Sequence, residues 1–393
     1  MHLAASGSGD AVAVSGEILQ LGLIFLAAAA AGWLARRLSL PAVLGFLAVG
    51  VVVSPFTPGY VAPREHVELL AEFGVVLLLF EVGIEINLHS IGREQRALLL
   101  AVPAQVVLTT LLAGGLFAAC GIVPTTALVL GLAVALSSSV VVVNIVRSRR
   151  RRTDVETEKA MLTWSVLQDI CGVLLAALLL SVAGVSGRPP MLAVLGLAGF
   201  LVVSAGAAWL LPRALRHLGT EPDLFLLVCI GVGLGLAGLG AVVFGVPAAL
   251  AAFIAGLAVA ESPESVIARR QLVPFRDVFA VLFFVSVGTL INPQAVLDGL
   301  PWLALMLIAL VVGKVAVAAV AARLAGVGRP LQLAVGIGQV GELSFVLASL
   351  LVTAGLLSGE VYAALLTAVV VSIAVSTVVV RLHWTRSPAP ATF

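Results

Sequence analysis

Residues 165–182 read SVLQDICGVLLAALLLSV, and a lone carboxylate, Asp169, preceded by Gln168, sits inside this otherwise apolar run. A run of this length suffices to cross a bilayer. An acid at that depth costs about 2.5 to 3.5 kcal/mol on insertion scales, so such a group characteristically lines a protected cavity and binds a proton or a cation. The solvent follows from composition. Of 393 residues, 61% are hydrophobic and 11% charged, against about 25% charged in a soluble domain. In lipid only helices and closed barrels satisfy their own backbone groups. The apolar stretches here run for about 17 to 25 residues without polar alternation, which selects helices over barrel strands.

Thirteen hydrophobic segments follow, near 17–35, 41–57, 67–88, 97–120, 124–146, 159–182, 191–211, 223–243, 247–260, 273–291, 301–322, 330–356 and 359–381. Nineteen of the 22 basic residues fall in the odd-numbered loops and the C-terminal tail, among them Arg36, Arg37, Arg93, Arg96, Arg147, Arg149 to Arg152, Arg213, Arg269, Arg276 and Arg329. The opposite loops hold only Arg64 and Arg188, and Lys314 lies within a segment. The positive-inside rule then makes the odd loops and the C-terminus cytoplasmic and the N-terminus external, since a missed span would scramble the split. The expected organisation is an extracytoplasmic tail over 1–16, a transmembrane domain over 17–383 and a cytoplasmic tail over 384–393. The first 15 residues lack the positive region of a cleavable signal, so the first helix is read as retained.

Two segments are interrupted. The fifth carries Ser137, Ser138 and Ser139 at mid-depth; the twelfth carries Gly336, Gly338, Gln339, Gly341 and Glu342. Interruptions at corresponding positions of two halves point to inverted repeats of six helices each, with crossed discontinuous helices and a site between them. The three cysteines (Cys120, Cys171, Cys229) lie apart in apolar runs with no CxxC pair, and the histidines lie at segment ends. Neither pattern suggests a metal site, a cofactor or a buried histidine relay. The net charge of +2 gives no signature of nucleic-acid binding.

Besides Asp169, the charge deep in a span is Lys314, about 14 residues or roughly 20 Å from the outer end of its segment. A buried ammonium needs a partner, and Asp169, at matching depth, is the expected one. A carboxylate that takes either a proton or an alkali cation and crosses poorly when empty couples the two movements. Gln168 offers an amide oxygen to a partly dehydrated cation or, alternatively, a hydrogen bond between helices; Ser137, Ser138 and Ser139 offer hydroxyl and freed carbonyl oxygens. Lys314 and Glu342 are expected to compensate the partial charges at the ends of the broken helices. Glu81 and Glu85, one turn apart, read as an interfacial pair balanced by Arg93 or Arg96, or as a cation funnel. The Arg149 to Arg152 run reads as a topology signal at anionic lipid. Gly231 and Gly235 have the spacing that allows close helix approach. The other classes weighed are a sodium-coupled symporter for an organic anion, built on related crossed broken helices, and an intramembrane hydrolase; one midplane acid without a buried histidine argues against the latter.

The ordered strings PAVLGFLAVGVVVSPFTPG, LAEFGVVLLLFEVGIEINL, LSSSVVVVNIV, VLQDICGV, AALAAFIAGLAVAESPE, FFVSVGTLIN and GQVGELSFVLASL resemble the monovalent cation:proton antiporter-2 family, within it the Kef-type potassium:proton branch. The resemblance implies an all-α integral membrane fold of the sodium/proton antiporter type with interleaved core and dimerisation subdomains. It further implies a homodimer meeting through the first and eighth helices, elevator-like alternating access and a bacterial-type inner membrane. It places the ion and proton at Asp169, pairs Lys314 with that acid and puts the crossed breaks at Ser137–Ser139 and Gly336–Glu342. The Gln168–Asp169 pair resembles the one-acid pattern, which implies electroneutral exchange and K⁺ favoured over Na⁺. Kef-type proteins continue into a nucleotide-binding domain; the sequence ends at RSPAPATF, so such gating is expected only from a separate cytoplasmic regulatory subunit or from a C-terminal domain removed from this sequence.

Overall fold

The computed structural model describes residues 4–38, 42–57, 64–85, 97–147, 154–185, 188–218, 222–260, 265–341 and 343–382, and every regular element among them is helical. The chain begins with α1 (Ala4–Arg37), α2 (Ala42–Val52), α3 (Arg64–Glu85) and α4 (Leu98–Ala119). The fifth hydrophobic segment forms two helices, α5 (Pro124–Ala135) and α6 (Ser139–Arg147). Next come α7 (Val155–Val182), α8 (Pro190–Leu218), α9 (Pro222–Leu239), α10 (Ala248–Ala260), α11 (Ser265–Thr289) and the short α12 (Pro293–Asp298). The eleventh segment forms α13 (Leu300–Ile308) and α14 (Val317–Leu324) around a π-helical stretch, Ala309–Ala316. The twelfth is again divided, into α15 (Pro330–Gly336) and α16 (Leu343–Thr353), and α17 (Gly359–Leu382) ends the described chain.

Among the described residues eight helices are long and apolar enough to cross a membrane. The thirteen crossings expected from hydropathy also count α2, α3, α10 and the two divided segments, whose separate pieces are too short to span alone. Large apolar side chains face outward, including Leu26, Leu100, Trp209 and Val242. In water so broad an apolar surface would drive association; against acyl chains it is the matched exterior.

The chain divides into two units, one of residues 1–74 and 277–293, the other of residues 75–276 and 294–393. The first unit packs Ile24 and Ala28 of α1 and Val49 of α2 against Leu282 and Val285 of α11. A Cβ on Gly50 would lie 2.1 Å from the Val285 carbonyl oxygen, so the helices touch backbone to backbone there. The second unit holds the described residues that line the cleft with Asp169. Its core includes Phe80, Phe225, Ala252, Ala255 and Leu272. At its α3–α10 crossing, a Cβ on Gly256 would lie 2.1 Å from the Phe80 carbonyl oxygen, and one on Gly83 2.3 Å from that of Phe253. The π-helical end of α9 closes at Gly245, whose φ of 70° is left-handed backbone that glycine adopts without strain. There Arg188 donates to the Val242 and Val243 carbonyls at 2.9 and 2.8 Å, satisfying acceptors left free at a helix C-terminus.

The start of α7 is joined to the start of α15. Asp154 caps α7 by accepting from the Thr157 N–H at 2.9 Å, and the Arg329 Nε lies 3.0 Å from its other oxygen. Partial burial pushes the Asp154 carboxyl up, but the Thr157 hydrogen bonds and the Arg329 guanidinium outweigh it and hold the group below its ordinary 3.8.

Two outcomes follow. Gly256→Ala, which forces two backbones apart, should destabilise the detergent-solubilised protein by about 1 to 3 kcal/mol, whereas Gly115→Ala, with nothing within 4 Å of the added carbon, should melt no lower than the parent; thermal unfolding followed by tryptophan fluorescence reads both. Because the folded state depresses the Asp154 carboxyl, its stabilisation is complete above 3.8 and fades as pH falls through the lower folded value. Asp154→Asn should therefore lower the unfolding midpoint at neutral pH, with the gap to the parent closing in strong acid.

Candidate functional site

The site is built on two helix interruptions that satisfy one another. Leu136, at the end of α5, turns extended (φ −85°, ψ 143°), and the chain re-enters a helix at Ser139. Serine side chains compete for backbone partners in such a stretch. Ser138 does so by capping α6, its hydroxyl oxygen accepting from the Val141 N–H at 3.3 Å. Across the gap the Gly341 N–H donates to the Leu136 carbonyl at 2.9 Å. The Ser137 hydroxyl donates to the Ile337 carbonyl at 2.6 Å, and the Gln339 amide to the Ser138 carbonyl at 3.3 Å. Gly341 is required here, because a Cβ would sit 2.4 Å from the Ser137 carbonyl oxygen. On α17, Ser372 accepts from the Val340 N–H at 3.1 Å.

Lys314 is fully buried, and its ammonium donates to the carbonyls of Leu136 at 2.8 Å and Gln339 at 2.6 Å. The first belongs to the C-terminus of α5 and the second lies just beyond the C-terminus of α15, where partial negative charge accumulates. These two bonds fit the expectation that Lys314 compensates the partial charges at the ends of the broken helices. The π-helical winding around Lys314, invisible in hydropathy, shifts the hydrogen-bond ladder by a residue.

Gln168 has no exposure either. Its oxygen accepts from the Ser137 N–H at 3.1 Å, and its two amide protons go to the Ala135 carbonyl and the Gln105 side-chain oxygen, both at 2.9 Å. It braces the first break from both flanks of Leu136 and is not among the residues lining the adjacent cleft. Of the two roles the sequence left open, the structure shows the helix-to-helix one. The next residue, Asp169, is partly exposed and lines that cleft with Ser137 and Ser139; the walls are apolar and include Val82, Phe253, Leu343 and Val346. Ser139 and Leu343 are the first residues of α6 and α16. The carboxylate thus shares a cleft with the N-terminal, positive ends of both half-helices, while Lys314 takes the negative ends. Ser138 is not among the lining residues.

Other expectations resolve differently. Glu81 is buried and is bonded to Arg269 (2.9 Å) and Arg276 of α11, while Arg269 also reaches Glu85. These arginines lie two turns apart on one helix; Arg93 and Arg96, expected beside this pair, lie outside the described residues, as do Glu342 and Arg149 to Arg152. Sequence reasoning missed Gln105 and Ser372. A polar residue within the segments at 97–120 and 359–381 was the available signal, too faint beside an acid.

Comparison with known proteins adds the lineage. A family model described as "Sodium/hydrogen exchanger, transmembrane" matches residues 23–385. The chain belongs to that family. It is accordingly a multi-pass integral membrane protein. It is 34% identical over 336 residues to "Putative cation/proton antiporter YbaL" of Escherichia coli (strain K12), an alignment covering 81% of this chain and 60% of that protein, so the chain spans about three-fifths of its length. Its fold is similar to that of the sodium proton antiporter MjNhaP1 from Methanocaldococcus jannaschii at pH 8, with a TM-score of 0.72, 17% identity, 94% of this chain covered and 99% of the other.

For this exchanger-family chain Lys314→Met, similar in length but without the ammonium, should cost about 2 to 4 kcal/mol, because buried carbonyls lose charge-assisted bonds. The thermal midpoint of the purified protein checks it; an unchanged midpoint would remove Lys314 from the role of securing the breaks.

Proposed function

We propose that this chain exchanges a monovalent alkali cation for a proton across the membrane, with Asp169 binding each in turn. The observation that carries this reading is the position of Asp169: a carboxylate within the span of α7 that is left partly open to a cleft, beside Ser137, Ser139 and two half-helix N-termini. Its hydroxyl and carboxylate oxygens are the hard donors an alkali cation takes. Family membership, the relative's name and the fold of a sodium proton antiporter support the reaction class. Such exchange changes no covalent bond and calls for no cofactor, the ions being the substrates.

The finer reading is electroneutral exchange of one cation for one proton. Among the described residues lining the cleft Asp169 is the titratable one, so one negative site carries one positive charge whichever ion occupies it. Lys314 is bonded to two helix ends and is not among the residues lining the cleft. K⁺ is favoured over Na⁺ on the resemblance of the Gln168–Asp169 pattern to Kef-type exchangers. The access change is elevator-like, in a homodimer, with the N-terminus outside and the C-terminus in the cytoplasm. The charge split of the loops supports the orientation. Gly231 and Gly235, with nothing within 4 Å, leave room for a helix of a second copy.

In proteoliposomes holding a pH gradient, added K⁺ should dissipate it at a rate indifferent to an imposed voltage, Na⁺ more weakly, and Asp169→Asn should abolish the response to either. The apparent affinity for cation should fall with pH, since protons compete for the same oxygens. Undiminished exchange by Asp169→Asn would defeat the reading.

A further inference from the structure

Two buried polar residues of α4 have so far no role. Gln105 and Thr109 are fully buried and one helical turn apart, and so share a face. Apolar side chains would fill that space at less cost in desolvation. Instead the Gln105 oxygen accepts from Gln168 at 2.9 Å and from the Trp164 indole N–H at 3.3 Å. Its amide donates to the Thr109 hydroxyl at 3.1 Å, and that hydroxyl donates to the carbonyl of Gly313 at 2.7 Å.

Gly313 immediately precedes Lys314, and Gln168 immediately precedes Asp169. Lys314 in turn reaches Leu136, whose two neighbours, Ala135 and Ser137, are both bonded to Gln168. The bonds therefore close a ring, running Leu136, Lys314, Gly313, Thr109, Gln105, Gln168 and back to the peptides flanking Leu136. We infer that Gln105 and Thr109 are positioning residues: they close this ring and thereby fix the first helix break, with its cleft-lining serines, beside Asp169. The inference rests on the reading of Asp169 as the exchange site.

The chemistry of each link gives the ring one arrangement. Both amide protons of Gln168 are used, as are both lone pairs of the Gln105 oxygen. The Thr109 hydroxyl accepts from one side and donates to the other, so its proton has one direction to point. A connected buried network of this kind specifies geometry more than it adds stability. Ion ligands need support of that kind, since looseness on the order of 1 Å spoils a site.

The test compares Thr109→Val, which removes the hydroxyl at nearly constant volume, Gln105→Met, which keeps length without the amide, their double variant and Thr109→Ser, which restores the hydroxyl. In proteoliposomes at fixed pH the first two should each raise the apparent KM for K⁺ at least fivefold, with maximal rates within twofold of the parent. The double variant should be no worse than the worse single, as for members of one unit, and Thr109→Ser should stay within twofold of the parent. Unchanged KM, additive effects, or a loss of maximal rate shared by Thr109→Ser would overturn the inference. If Thr109→Val fails to fold, Gln105→Met decides by the same criterion. Should the parent show no cation-dependent proton movement, the exchange reading fails separately; amide hydrogen exchange over residues 135–141 then judges the ring. At least tenfold faster exchange in Thr109→Val and Gln105→Met, but not Thr109→Ser, sustains it, and unchanged protection refutes it.

Discussion

The constraint on which the second unit depends is that two helices are cut within a membrane protein where water is scarce. Each cut frees carbonyls and N–H groups that lipid cannot satisfy, and non-helical backbone at such depth is tolerated only when it is enclosed. Lys314 answers for the carbonyls of Leu136 and Gln339, Ser137 for that of Ile337, and the Gly341 N–H returns to Leu136. The two breaks must touch for this to work. That contact in turn demands glycine at 341, where any side chain would enter the Ser137 peptide.

Gln168 and Ser138 hold backbone, the first around Leu136 and the second as the cap of α6. Among the described residues Asp169, Ser137 and Ser139 are the polar side chains lining the cleft. Polar residues that are neighbours in sequence have thus been divided between scaffold and cleft by helix geometry: Gln168 and Asp169 point some 100° apart around α7. The breaks also sort their dipoles, C-terminal ends to the ammonium and N-terminal ends to the side where the carboxylate lies.

Much of this was readable beforehand. The membrane class and the helical fold follow from continuous apolar runs and a scarcity of charge, and the interruptions at Ser137–Ser139 and Gly336–Gly341 show as polar and glycine-rich breaks in those runs. That Lys314 would serve the ends of the broken helices was readable from its depth and charge; which peptides it would reach was not, because the sequence does not display that Leu136 and Gln339 are the ones whose carbonyls turn to it. The π-helical turn at Lys314 has no hydropathy signature, and Gln105 is one amide in a long apolar run, meaningful only once α4 and α7 are seen to face each other. Glu81 and Glu85 read as one helix face, but nothing in the sequence shows that Arg269 and Arg276, nearly two hundred residues on, reach Glu81.

A carboxylate that takes either ion suits the proposed exchange for a reason of charge. A site that moved through low dielectric with its carboxylate bare would carry an uncompensated anion, at a cost of several kcal/mol even after relaxation. A carboxylate that crosses only with a proton or a cation bound keeps the two proposed fluxes coupled. The two hydrogen bonds from Lys314 to the ends of α5 and α15 hold the breaks beside which that carboxylate lines its cleft with Ser137 and Ser139, so the groups that make the broken helices possible also set where the exchange would take place.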